Sequence, residues 1–349
     1  MQKLRISANQ HGNRLKSGES QRFMGVGEFG MPPEIRSDHT VQRLSLRTPG
    51  VLTLLEALFW TAGFLAAQAM ILVMLLAILI VSSFGWNWPG QDETLKWVLE
   101  TNLDRSFLLV GTPVLGAVFL LLPLIRWREG RDFRKRIGWR YPTADEFVIS
   151  LATVCPIALL GNLVYEQVNL WCQGEPLVVW PSATALHQTS LDHLYSTFQG
   201  VPFPVLIVTM ALAPAFAEEL IFRGMLGRRL VAQFGVIPGI LLASMAFAMI
   251  HGSLPHAVAT FPVAILLHLL YLQTGTIWVP VLVHFSNNLL AVTMVHYQLQ
   301  PELAHSPMLL GSLSIYLVMM LLLLSSRTRT MRGVGANAGL REISAIPGS

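Results

Sequence analysis

The sequence predicts an all-α membrane protein, a polytopic helical bundle with about eight transmembrane helices. Of its 349 residues, 53% are hydrophobic and only 13% are charged, whereas charged residues make up about a quarter of an ordinary soluble domain. Several apolar stretches also reach roughly 17 to 25 residues, the length that crosses about 30 Å of hydrocarbon. These two observations exclude an ordinary soluble fold.

The apolar stretches define eight predicted helices, of which the fifth and sixth are short for a full crossing. Thr143, with Glu146 three residues later, indicates a capping box at the start of the third helix. The fourth is expected to continue into the basic residues Arg228 and Arg229. In chain order the predicted helices are Ala57 to Val81, Phe107 to Ile125, Phe147 to Val164, Phe203 to Phe222, Ile237 to His251, Val258 to Leu272, Ile277 to His296 and Pro307 to Leu324.

The basic residues indicate how the chain is oriented, because short loops rich in Lys and Arg stay in the cytoplasm. No Lys or Arg occurs from Tyr141 to Phe222, which suits a long outer segment. An even number of crossings with both termini in the cytoplasm satisfies this pattern. The basic residues predicted to lie inside are Arg126, Arg128, Arg131, Arg134, Lys135, Arg136, Arg140, Arg223, Arg228, Arg229, Arg327, Arg329 and Arg332.

The chain divides by composition into five parts. Residues 1–50 are predicted to be a disordered basic cytoplasmic tail, and residues 51–200 hold the N-terminal helices and the outer loop. Residues 201–300 hold the next four predicted helices, 301–326 the last transmembrane helix, and 327–349 a second basic cytoplasmic tail. The net charge is only +4 and the basic residues are not interleaved with aromatic ones, so we expect membrane lipid and no nucleic acid as partner.

Three ionisable residues stand in the predicted fourth helix: Glu218, Glu219 and Arg223. Charged side chains are costly in hydrocarbon, so three together indicate a role. Residues four apart lie on one helical face, so Glu219 and Arg223 are predicted to form an ion pair. Glu218 is then free to meet a group from another helix. Judged on these three residues alone, a buried ion-pair network that only holds helices together is as well supported as a functional role.

Two later helices carry histidines at the same spacing of four. Phe247 precedes His251, and His284 precedes Asn288. Taken singly, His251 could end a helix at the interface, and the other pair could form interhelical hydrogen bonds. Convergence also poses a problem of depth, because Glu218 falls near the inner end of its predicted helix and His251 late in a helix that runs outward. The fifth helix must therefore be tilted or lie deeper than its hydropathy suggests.

In these residues the chain resembles the CAAX prenyl protease and bacteriocin-processing family (CPBP, also called ABI) of intramembrane proteases. The family pattern is two glutamates with an arginine four after the second, then Phe-x-x-x-His, then His-x-x-x-Asn or Asp. The three motifs occur in this order, and the resemblance covers about Phe203 to His296. It includes the neighbouring segments Phe222-Arg223-Gly224 and Tyr271-Leu272-Gln273-Thr274-Gly275-Thr276-Ile277-Trp278.

The resemblance implies an intramembrane endopeptidase that cleaves a membrane-associated protein or peptide, with residues 201–300 as its catalytic core. It implies that Glu218 and His251 activate water and that His284 and Asn288 stabilise the oxyanion. Glu219, Arg223, Phe222 and Phe247 would support the site. General acid–base and oxyanion chemistry suit these residue types where solvent is excluded. We expect the protein in the bacterial cytoplasmic membrane.

A metal remains an alternative, because Glu218, His251 and His284 could also bind zinc with one coordination position left for water. The sequence lacks the compact His-Glu-x-x-His zinc helix, and an amide such as that of Asn288 is a poor zinc ligand. A glutamate-type protease without a required cofactor is therefore favoured over a metalloprotease.

Other classes of function use the same residues. A non-catalytic member of this family, serving as a membrane scaffold or as an immunity protein against a bacteriocin, would carry the same motifs. A transporter is less favoured, since no inverted repeat relates the first four predicted helices to the last four. The residues do not identify the substrate, a prenyl pocket or the oligomeric state.

Overall fold

The computed structural model describes residues 50–84, 90, 103–172, 201–299, 308 and 311–326, with side chains omitted for 103–110. The predicted basic tails and most of the outer loop lie outside these residues. The described chain is helical throughout, and its helices are α1 Gly50–Phe84, α2 Leu103–Glu129, α3 Phe133–Arg136, α4 Ala144–Leu151, α5 Val154–Cys172, α6 Phe203–Phe234, α7 Val236–Met249, α8 Leu254–Thr274, α9 Trp278–His296 and α10 Gly311–Ser326.

The polytopic helical bundle is confirmed, but a count of about eight crossings is not. Among the described residues, 6 segments are long and apolar enough to cross a membrane, with α4 and α5 together forming one of them. The apolar helices α7 and α10 are shorter. The short fifth helix expected from the sequence corresponds to α7, whereas α8 is longer than predicted because it begins at Leu254.

The predicted capping box at Thr143 is present. The Thr143 hydroxyl accepts from the Glu146 backbone N–H, and the Glu146 carboxylate accepts from the Thr143 N–H at 2.9 Å. Arg140 also donates to Glu146 and to the carbonyl of Thr274. This cap therefore fixes the start of α4 against the end of α8.

Helix α6 carries the acidic residues and is longer than the sequence predicts for its apolar part. It runs for 32 residues and contains two π-helical stretches, Ile207–Leu212 and Leu220–Gly227. The α-helical stretch Ala213–Glu219 lies between them. π-Helical turns widen a helix and recur at functional sites. Glu218 is consequently near the middle of a long helix and not near its inner end.

The α6–α7 hairpin removes the conflict in depth between Glu218 and His251. Gly235 joins the two helices with φ 89° and ψ 173°, a conformation open almost only to glycine. Glu218 precedes this turn by about 17 residues and His251 follows it by about 16, which correspond to about 25 Å and 24 Å along two antiparallel helices. The two side chains therefore lie at similar depth, and α7 need not be unusually tilted.

Arg228 and Arg229 continue α6 as predicted, and both form ion pairs that the sequence did not predict. Arg228 is buried and donates to Glu129 at 2.6 Å, and Arg229 donates to both Glu129 and Glu56. These ion pairs join α6 to α1 and α2. The two arginines thus serve interhelical packing, since a buried charge requires a partner.

A shared hydrophobic core lies between α1, α2, α6 and α7. Phe64, Ile125, Phe222 and Phe247 are buried in it. The Phe222 ring packs edge-on against the rings of Phe64 and Phe247. This core holds the helix that carries the glutamates against the helix that precedes His251.

Candidate active site

Glu219 and Arg223 form the predicted ion pair on α6. The Arg223 Nη1 donates to Glu219 Oε1 at 2.8 Å, and the two side chains are 1% and 0% exposed. The second terminal nitrogen of Arg223 donates to the carbonyl of Ala264 on α8 at 3.1 Å. The ion pair therefore links two turns of α6, and its arginine also joins α6 to α8.

His284 of α9 joins both glutamates. Its Nδ1 lies 2.9 Å from Glu219 Oε1, and its Nε2 lies 4.0 Å from Glu218 Oε2. Glu219 thus has two partners, although the sequence indicated only Arg223. The Glu218 Oε2 atom is buried and has no hydrogen-bond partner among the described residues. An unsatisfied carboxylate oxygen faces His284 at this point.

His251 lies in the turn that follows α7, beside the same aromatic ring as His284. Its Nδ1 is 3.0 Å from the carbonyl oxygen of Phe247, one turn earlier. The Phe247 ring centroid lies 5.1 Å from the His251 ring and 5.8 Å from the His284 ring. The two imidazoles therefore flank Phe247, and in each of them Nδ1 is engaged and Nε2 is available for other contacts.

Asn288 follows His284 by one turn of α9, but its amide contacts a different group. Its Nδ2 donates to the carbonyl of Met210 at 3.5 Å, within the first π-helical stretch of α6. Asn287, which the sequence analysis left out of the site, donates to the Asn288 Oδ1 at 3.5 Å. Both contacts are at the long limit for hydrogen bonds, so Asn288 is weakly held.

Phe222 and Phe247 pack around the charged groups. Both side chains are buried, and they meet edge-to-face with ring centroids 5.3 Å apart. The Arg223 guanidinium carbon lies 4.3 Å from the Phe247 ring centroid. Phe247 therefore separates Arg223 from His251 while it contacts both.

Two further histidines lie close to these groups and have no counterpart in the sequence motifs. The His256 ring lies 5.1 Å from the His251 ring and 6.1 Å from the Tyr165 ring. His268 is buried beside Gly227 of α6, and its Nε2 has no hydrogen-bond partner among the described residues. The α7–α8 turn brings His256 back onto His251, and spacing along the chain alone does not reveal this contact.

A zinc site would require Glu218, His251 and His284 to converge on one ion. Within the described part of the chain, no three His, Cys, Asp or Glu side chains are grouped so as to hold a metal ion. Glu218 Oε2 and His284 Nε2 lie 4.0 Å apart, and the Nδ1 atoms of His251 and His284 face protein acceptors. In both histidines Nε2 is therefore the ring nitrogen that is left for a water molecule, a substrate or an ion.

Comparisons with known proteins coincide with this part of the molecule. Residues 200–290 match the family described as "Type II CAAX prenyl endopeptidase Rce1-like". The chain is also 29% identical over 98 residues to the Bacillus subtilis (strain 168) protein named "Putative membrane peptidase YdiL", covering 28% of this chain and 39% of that protein. No solved structure matches significantly.

The matched residues 200–290 contain both glutamates, Arg223, both motif histidines and Asn288. The remainder of the chain is outside this match, and the chain spans less than half the length of the curated relative. In its helical core, this chain is similar to membrane peptidases of the CAAX protease type, as the order of its motifs indicates.

Proposed function

We propose that this protein is an intramembrane endopeptidase of the glutamate type, which hydrolyses a peptide bond of a membrane-associated protein or peptide. Glu218 and His251 activate water, and His284 and Asn288 stabilise the oxyanion. The family match and the relative's name support a membrane protease, and the contacts of His284 with Glu218 and Glu219 support a role for these side chains.

The observation that carries the proposal is the unsatisfied Oε2 of Glu218. Glu219 Oε2 also lacks a hydrogen-bond partner among the described residues, but Glu219 Oε1 contacts both Arg223 and His284, as expected of a carboxylate that holds helices together. Glu218 Oε2 instead lies 4.0 Å from His284 Nε2 with no hydrogen-bond partner among the described residues. A water molecule at Glu218 Oε2 would satisfy this oxygen, and a substrate carbonyl bound beside the water would face His284 Nε2.

In the proposed reaction Glu218 removes a proton from this water as the water oxygen adds to the carbonyl carbon. The carbonyl oxygen becomes negatively charged, and His284 and Asn288 donate hydrogen bonds to it. When the tetrahedral intermediate collapses, the carbon–nitrogen bond breaks and Glu218 returns the proton to the leaving amine. His251 holds the water through its Nε2, because its Nδ1 faces the Phe247 carbonyl.

Glu219 and Arg223 position His284 in this scheme. The Glu219 carboxylate fixes the imidazole through Nδ1, and Arg223 balances the negative charge of Glu219. With Nδ1 beside Glu219 Oε1, Nε2 is the ring nitrogen of His284 that is left to donate to the oxyanion. Preorganised donors of this kind act most strongly where water is excluded.

The test begins by finding a substrate, because the sequence and the structure do not identify one. Membrane peptides from cells that express the wild-type protein are compared with peptides from cells that express Glu218→Gln. A peptide cut only in the wild-type cells is then incubated with each purified protein in detergent. We expect Glu218→Gln to lower kcat by about 10²- to 10⁴-fold, because the amide keeps the shape but removes the base.

The matched control is Glu166→Gln, which alters a glutamate of α5 that accepts a hydrogen bond from Asn162 and has no role in the proposed reaction. This control should cleave at the wild-type rate. Undiminished cleavage by purified Glu218→Gln would rule out the proposed role. If Glu218→Gln instead restores the phenotype of a gene deletion while it fails to cleave, the non-catalytic scaffold or immunity role becomes the better explanation.

A further inference from the structure

The last turn of α2 and the connection after it, which includes α3, are strongly basic and lie at the end of a membrane-crossing helix. Residues 126–136 contain six basic and two acidic side chains. From the sequence alone, these charges predicted only the orientation of the chain in the membrane. The structure separates those that are neutralised within the protein from those that are not.

The neutralised charges belong to interhelical ion pairs. Arg128 pairs with Glu56 at 3.3 Å, and Glu129 is buried against Arg228 and Arg229. Asp132 is then the acidic residue left on this connection, and it lies 3.9 Å from Lys135 with both side chains largely exposed. Such an exposed pair at this distance is weak.

The remaining cations point away from the bundle. Arg126, Arg131 and Arg134 are exposed, and among the described residues they have no ion-pair partner. The neighbouring Trp127 is 82% exposed, although a tryptophan side chain is large and apolar. We call Arg126, Trp127, Arg131, Arg134 and Lys135 the basic rim.

The connection is also held in place, so that the basic rim has a fixed direction. Phe133 and Ile137 are buried on the opposite side. Ile137 packs against Gly224 of α6, and the Ile277 N–H donates to the Gly138 carbonyl at 3.1 Å. The short helix α3 thus lies with its apolar side on the bundle and its basic side outward.

We propose that the basic rim binds the headgroups of anionic phospholipids. Exposed cations directly after a membrane-crossing helix meet the phosphate layer, and anionic lipids attract such clusters. An exposed tryptophan at the same level suits the membrane interface, where its ring is partly apolar and its N–H is wet. The position beside the hydrocarbon boundary favours lipid over a soluble acidic partner.

The test measures lipid selectivity and needs no protease substrate. The purified protein is reconstituted in phosphatidylcholine vesicles that contain spin-labelled phosphatidylglycerol or spin-labelled phosphatidylcholine. The fraction of each label immobilised by the protein gives their relative association. We expect the wild-type protein to prefer phosphatidylglycerol at low salt and to lose much of this preference at molar salt, because exposed charges are screened.

Three double variants test whether the basic rim is responsible. Arg131→Gln with Arg134→Gln should lower the preference by up to about fivefold for each arginine, the equivalent of about 1 kcal/mol per charge. Arg131→Lys with Arg134→Lys keeps the charges and should keep most of the preference. Arg329→Gln with Arg332→Gln removes the same charge from the C-terminal segment and should have little effect.

A wild-type protein without preference for phosphatidylglycerol, or a glutamine variant that retains it, would overturn the proposal. An equal loss in the C-terminal control, or in the lysine variant, would also overturn it. Thermal unfolding in detergent shows whether each variant is folded. If the glutamine variant does not fold, the salt dependence of the wild-type protein and the lysine variant decide the outcome.

Discussion

The Arg223 guanidinium carbon lies 4.3 Å from the centroid of the Phe247 ring, and the rings of His251 and His284 lie 5.1 Å and 5.8 Å from the same ring. Cations over an aromatic face are attracted to it, and the attraction is larger where water is excluded. One phenylalanine therefore connects the charge of α6 with His251 and with His284 of α9. The site is held by this ring as much as by its hydrogen bonds.

Breaking the ion pair between Glu219 and Arg223 should destabilise the protein strongly. Arg223→Met leaves the buried Glu219 carboxylate without its arginine, with His284 as its remaining hydrogen-bond partner, so we expect a loss of about 3–5 kcal/mol in the free energy of unfolding. Chemical or thermal unfolding in detergent micelles measures this loss. The double variant Glu219→Gln with Arg223→Met removes both charges and should recover part of it; a double variant less stable than the single one would contradict the buried pair.

His284 is expected to affect turnover more than stability. Replacing His284 with Ala removes a donor to the oxyanion, and the loss of one such donor costs about 10²- to 10³-fold in kcat. The rate is measured on the peptide found by the comparison of cell membranes. His296→Ala, at the far end of the same helix, is the control and should retain wild-type turnover; equal kcat values for the two variants would argue against the proposed role.

Gly227 provides the space that the His268 ring occupies. A Cβ atom at this glycine would lie 2.0 Å from His268 Cε1 and 2.6 Å from the Phe222 carbonyl oxygen. Gly227→Ala should therefore destabilise the protein by about 1–3 kcal/mol through overpacking. The midpoint of thermal unfolding reports this change. His268→Ala in the same chain removes one of the two clashes, so the double variant should be less destabilised than the two single changes combined.

Gly111 allows α2 to approach the first π-helical stretch of α6. A Cβ atom there would lie 2.4 Å from the Cα of Thr209, which is backbone and cannot move aside cheaply. Gly111→Ala should thus separate the two helices and cost about 1–3 kcal/mol. Gly63→Ala on α1 is the matched control, since no atom lies within 4 Å of its added Cβ. Equal unfolding midpoints for the two variants would contradict this close approach.

Treatment with a chelator separates the glutamate and metal hypotheses. The described side chains form no three-ligand group for a metal, so we expect incubation with EDTA followed by gel filtration to leave peptide cleavage unchanged. Metal content measured on the same sample shows whether any ion was present beforehand. Loss of cleavage that added zinc restores would instead support the ligand set Glu218, His251 and His284.

Much of the fold was predictable because hydrocarbon imposes simple rules on length and charge. The helices, the cap at Thr143 and the pairing of Glu219 with Arg223 follow from local spacing, and the structure contains each of them. Pairing across four residues of one helix needs no knowledge of the neighbouring helices. Local order in the chain therefore specifies local contacts well.

Contacts between helices were less predictable. Three of the contacts that were not predicted join different segments of the chain: Glu219 with His284, Glu129 with Arg228, and His256 with His251. The apolar part of the fourth predicted helix ended near Phe222, and a continuation was expected only into Arg228 and Arg229. The structure continues α6 to Phe234, and both arginines pair with Glu129 of α2, which the local pattern does not reveal.

The hairpin at Gly235 makes the number of residues between Glu218 and His251 a requirement of the proposed site. One extra residue inserted between Glu218 and this glycine would raise the carboxylate by about 1.5 Å and rotate it by about 100°, while His251 stayed where it is. Conservative replacements in α6 or α7 leave the relative depth of these two side chains unchanged. Deletions and insertions change it, so the number of residues in the two helices constrains the site as strongly as their chemical identity.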